Sequence, residues 1–115
     1  MTKSELKEAW GPDDRKQYHG HFASLAKRWQ EETRYVSSVH DMVLHPAYQR
    51  IIGMGREALP FLFQELRRQP DHWFWALHAI TGEDPVPPEE KGNIEAMTRR
   101  WLRWGAANGW ILDDQ

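Results

Sequence analysis

A chain of 115 residues can build one hydrophobic core and is too short for two. It has no cysteine, which excludes disulfides and thiolate metal sites, and a formal net charge of −2 argues against a general polyanion binder. Seven tryptophans are many for this length, and burying each contributes roughly 1.5–3 kcal/mol, so part of that supply must be core.

The opening MTKSELKEAW lacks the continuous apolar stretch of a signal peptide, and no run approaches the roughly 18 apolar residues that span a bilayer. A cytoplasmic protein without a membrane segment is expected. Thr2 and Glu5 fit a capping box for a short helix in an N-terminal arm, residues 1–12, that Gly11-Pro12 ends. Asp13 and Asp14 stand where a second helix would begin. From Phe22 the helical period is clear: Phe22, Leu25, Ala26, Trp29, Thr33 and Val36 share one face. Lys27, Arg28, Glu31 and Arg34 take the other, with Lys27 and Glu31 spaced as an i,i+4 pair.

Ser37-Ser38 interrupts or bends this helix, and Val39 to His45 continue as helix or connecting turn. Pro46 suits the first position of a short helix through Ile52, with Gly53 and Gly55 around its end. Residues 56–68 follow, with Leu59, Leu62, Phe63 and Leu66 as the buried stripe and Pro60 in the first turn, where no amide is needed. Pro70-Asp71 should stop that helix and cap the next, over residues 72–81. Two glycines and three prolines make residues 82–93 a loop. Asn93 caps a last helix, 94–107, with Ile94, Met97, Trp101, Leu102 and Trp104 inward. Asn108-Gly109 ends it, and Trp110-Ile111-Leu112 folds back as an apolar clasp. No segment alternates as a strand does. The reading is an all-α single domain of four to six helices.

Within it, residues 53–85 resemble a HEAT-type helical hairpin: Gly55, then Ala58-Leu59-Pro60-x-Leu62, Leu66, a Pro-Asp turn, Ala76-x-x-Ala79-Ile80, Gly82 and Asp84-Pro85. The likeness covers about a third of the chain. Aromatics replace the arginine usual near the start of the second helix, and there is no second copy at a fixed period. A lone hairpin cannot bury its face, so other helices must cap it. The longer stretch from HPAYQRIIGMG to TGEDPVP is similar to a group of small bacterial proteins. HEAT-like modules generally act as binding scaffolds, which is what the resemblance implies here.

The helix at 72–81 has no polar face. Trp73, Ala76, Leu77 and Ile80 fall on one side, and Phe74, Trp75 and His78 on the other. Such a helix is either sandwiched between layers or presents a patch to a partner. The leading expectation is a non-enzymatic protein-binding module (an adaptor, inhibitor or neutralising partner) that takes no cofactor. Its contact residues would be Phe74, Trp75 and His78, together with Arg99, Arg100 and Arg103 of the last helix. Self-association would also cover the patch.

A second reading uses the same arginines, in a stretch from 96 to 112 without a carboxylate, to hold nucleic acid. Their spacing turns them away from Trp101 and Trp104, and arginine late in a helix also complements its dipole. A third reading places a metal-dependent enzyme at His40, Asp41 and His45, whose spacing is not that of a helical ligand pair. No HExxH, no GxSxG and no Walker lysine beside Gly53-x-Gly55 supports catalysis. Glu32, beside Trp29, is the carboxylate expected to be half-buried.

Overall fold

Helix α1 (Pro12–Glu32) opens on a proline, whose fixed φ and missing amide hydrogen both suit a first turn. Pro12 therefore starts a helix, one residue before Asp13 and Asp14, where a second helix was expected. The structure, a computed structural model, describes residues 12–111, with side chains from Gln17 onward. The helix expected from Thr2, and Leu112 of the expected clasp, lie outside the described residues.

Phe22, Leu25, Ala26, Trp29 and Thr33 are buried along one face of α1, as their spacing requires. Val36 lies past the helix end and is only half-buried. On the outer face the ion pair that forms is Arg28–Glu32, 3.4 Å, rather than Lys27–Glu31. Ser38 accepts from the Asp41 amide and so caps α2 (Val39–Val43), which makes the serine pair a helix boundary. The Trp29 indole N–H donates to the Met42 carbonyl at 2.8 Å and ties α1 to α2.

Helix α3 (Pro46–Gly53) is the hub, with α1, α2, α5 and a 3-10 turn at Gly55–Ala58 all packed against it. Its Ala47, Tyr48 and Ile51 have no exposed surface. His45 caps it, its Nδ1 accepting from the Ala47 amide at 3.0 Å. Gly55, at φ 70°, supplies the left-handed residue that turns the chain toward α4 (Leu59–Arg68). Leu59, Leu62, Phe63 and Leu66 form the buried stripe of α4 that the sequence shows.

Helix α5 (Phe74–Thr81) starts two residues later than its sequence suggests, and Asp71 does not cap it. The Asp71 carboxylate accepts from the neighbouring His72 amide instead. The missing cap comes from α3. The Tyr48 hydroxyl accepts from the Ala76 amide at 2.9 Å and donates to the His72 carbonyl at 3.0 Å. Residues 72 and 76 are the pair that a continuous helix would bond directly, so the hydroxyl is inserted into the first rung of the ladder. The Tyr48 ring also lies nearly parallel to Trp73, 8° and 5.8 Å between centroids, and Trp29 sits 4.5 Å from Trp73 on centroids.

Helix α6 (Ile94–Ala107) packs on α4. Asn93 caps it as expected, accepting from the Ala96 amide at 3.0 Å. The close approach is at Gly105, where an added Cβ would come within 2.8 Å of the Phe63 ring. Gly109, at φ 79°, reverses the chain, the Trp110 amide donates to the Gly105 carbonyl, and Trp110 and Ile111 fold back onto the core. The clasp is there.

Among the described residues there are six α-helices and no strand, an all-α fold. Its close helix contacts pair α1, α2 and α5 with α3, and α4 with α6. Trp29, Trp73 and Trp101 are fully buried, and Trp104 and Trp110 are half-buried, so most of the aromatic supply is core. Among the described tryptophans Trp75 is the exception, half exposed.

Candidate protein-binding groove

The exposed Trp75 stands at the edge of an apolar concavity of about 450 Å³. One wall is α2, whose Val39 and Val43 sit one turn apart on the same face. A second wall is α5, through Phe74, Trp75 and His78. The third is α6, through Ile94, Met97 and Trp101, a spacing of three and four that makes one stripe. Val39, Trp75 and Ile94 are three of the five large hydrophobic residues that remain exposed among the described residues. The concavity thus collects apolar surface that the core does not use.

The segment between α5 and α6 closes this space, and its own sequence makes it rigid. Gly82, at φ 73°, ends α5, and the Thr81 hydroxyl accepts from the Glu83 amide to fix the turn. Asp84 serves two ends of the loop. One carboxylate oxygen accepts from the Val86 amide and the other binds the Lys91 ammonium, which holds its carboxyl below the ordinary range. Val86 is buried beneath, and a 3-10 turn at Pro88–Glu90 leads back to α6. Glu90 and Arg100 make a two-pronged pair at 2.8 and 2.9 Å that pins this turn to α6. The Arg100 hydrogen bonds hold the Glu90 carboxyl low, and Glu90 in turn raises the Arg100 guanidinium.

His78 is placed by the same loop. Its Nδ1 lies 2.8 Å from the Glu83 carbonyl, which can only accept, so Nδ1 carries the proton in the neutral ring. Its imidazole packs on the Trp75 indole, 5.4 Å between centroids, and fixes that ring's orientation.

The structure joins some of the expected contact residues and separates others. Phe74, Trp75 and His78 all line the groove, but Phe74 is 8% exposed and belongs mainly to the core. The absence of a polar face on α5 hid that burial. Ile94, expected inward, is exposed at the lip. Arg99 and Arg103 are exposed, and helical spacing puts them opposite Ile94, Met97 and Trp101. Arg100 is committed to Glu90. The arginines and the Trp75 patch therefore do not form one surface.

Val39, Val43, Ile94 and Met97 were not singled out as contact residues from sequence. The i,i+4 valines of α2 are a readable signal, but nothing local says that α2 faces α5 across a gap. Among the described residues no group of three or more His, Asp or Glu could hold a metal ion. His45 has both ring nitrogens engaged, Nδ1 on Ala47 and Nε2 on Glu32 at 2.7 Å. That bond, with Arg28 nearby, keeps the Glu32 carboxyl below its ordinary range. Glu32 itself is exposed, not half-buried as expected.

Comparison with protein-family models, with curated proteins and with solved structures returns no match. Among the described residues no helix is long and apolar enough to cross a membrane.

Proposed function

We propose that this chain is a non-enzymatic binding module whose target is another protein, held in the groove between α2, α5 and α6. The observation that carries the reading is Trp75, 50% exposed at the lip of an apolar concavity instead of joining the aromatic centre a few residues away. A few residues supply most of the energy in protein contacts, and tryptophan is enriched among them. A groove of this volume lies within the range that takes large apolar groups, with few polar positions to set orientation. Adaptor, inhibitor and neutralising partner remain equivalent at this level, and a HEAT-like scaffold role would use the same groove.

The test pairs binding with stability. Trp75→Ala should abolish capture of a partner that is then purified and rebound by the wild-type chain, while the melting temperature stays nearly unchanged. A large fall in melting temperature would show that Trp75 is core, and undiminished binding by the variant would place the contact elsewhere. Nucleic-acid binding is supported only by the exposed Arg99 and Arg103. It requires affinity that falls steeply with salt and disappears in the Arg99→Ala/Arg103→Ala chain.

A further inference from the structure

Resting on that reading of the groove, we infer that the protein seated in it is a second copy of this chain. The two copies pair about a twofold axis, with Tyr35 of each in the groove of the other. Such a pairing needs a projection and a recess on one face of the same molecule. The recess is the concavity of about 450 Å³ between α2, α5 and α6. The projection is Tyr35, exposed at the tip of a turn that the Val36 amide closes on the Thr33 carbonyl at 3.0 Å. Four positions separate it from Val39 of the groove wall, a span of at most about 14 Å.

Charge, area and hydrogen bonding agree with that occupant. The ionic side chains lining the groove, Asp84 and Lys91, neutralise each other, with His72 and His78 beside them. This lining steers neither a basic nor an acidic partner, whereas a lining of one sign would meet its own sign across a twofold axis. Among the described residues the exposed large hydrophobics are Tyr35 at 92%, Leu44 at 55%, Trp75 at 50%, Val39 at 46% and Ile94 at 36%. Three line the groove, Leu44 follows Val43 of its wall, and Tyr35 is the projection. At roughly 150–250 Å² for each large side chain, these fractions amount to about 500 Å². A standard dimer buries about 800 Å² on each partner, and homodimer interfaces are about 65% apolar, which again is about 500 Å². His78 supplies the polar match. Its Nδ1 is spent on the Glu83 carbonyl, so in the neutral ring Nε2 is left to accept, and a phenol hydroxyl donates.

Sedimentation equilibrium of the full chain over a wide range of concentration tests the inference. The wild type should pass from monomer to dimer as concentration rises. Tyr35→Ala and Trp75→Ala should each raise the dissociation constant by about tenfold or more. An equimolar mixture of the two variants should recover part of the affinity, because the mixed dimer holds one complete contact and each variant alone holds none. Isotope-filtered NMR on labelled and unlabelled chains should show the Tyr35 ring of one copy against Trp75 or Met97 of the other. Tyr35 lies outside the core, so dilute Tyr35→Ala should melt as the wild type does. If Trp75→Ala melts early, Ile94→Ser at the opposite lip replaces it. A chain that stays monomeric throughout, or a dimer indifferent to Tyr35→Ala, overturns the second copy as occupant. Capture of a different protein that Trp75→Ala abolishes would then still uphold the groove as a binding site. A monomer with no Trp75-dependent capture overturns both.

Discussion

Tyr48→Phe removes one oxygen atom and keeps the ring, so it isolates the hydroxyl that α3 lends to α5. Two hydrogen bonds disappear, from the Ala76 amide at 2.9 Å and to the His72 carbonyl at 3.0 Å. Ala76 has no exposed surface, so its amide is left buried without an acceptor, at a cost of about 1–3 kcal/mol. His72 is half-buried and can recover part of its loss from water. The expected total is about 2–3 kcal/mol, and for a domain of this size that lowers the melting temperature by about 10 °C or more. Urea unfolding followed by circular dichroism should show a lower midpoint with an unchanged slope, since the surface exposed on unfolding is the same.

The same substitution has a signature in alkali. Burial pushes the Tyr48 phenol well above its ordinary value near 10. The folded chain therefore keeps a proton that the unfolded chain releases, and stability present below about pH 10 is lost as pH rises beyond it. Tyr48→Phe should lack that part of the alkaline slope. A loss under about 0.5 kcal/mol at neutral pH, with an alkaline profile identical to the wild type, would refute the inserted hydroxyl as the cap of α5.

Gly105→Val should destabilise by about 1–3 kcal/mol, because its branched side chain must displace the Phe63 ring and the end of Ile111, and thermal unfolding measures this directly. His45→Ala removes the side-chain cap of α3 and should cost about 1 kcal/mol, with His45→Asn recovering most of it in a urea titration. In acid, Glu32, Asp84 and Glu90 carry lowered carboxyl values set first by His45, Lys91 and Arg100. Their contribution is present above the ordinary carboxylate range and is lost as pH falls through the lowered values, so melting temperature should drop below about pH 4 and Glu90→Gln should flatten that fall.

What the sequence determined was whatever a helix writes in its own period and punctuation. The buried faces of α1 and α4, the start of α6 at Asn93, the loop between α5 and α6 and the returning Trp110-Ile111 all follow from residues a few positions apart. Side of burial needs a polar face to contrast with, and α5 has none. Its sequence left Phe74 and Trp75 equivalent, and only the packing of α5 in the fold buried one and exposed the other. Capping of α5 was illegible for the same reason: Tyr48 stands 28 residues from the amide it accepts from, and a tyrosine carries no local mark of a cap. Arg100 reads as one of three equal arginines until the loop folds back and brings Glu90 against it. Tertiary structure decided these points because each is a choice between chemically equal side chains, made by which distant element arrives to fill the space.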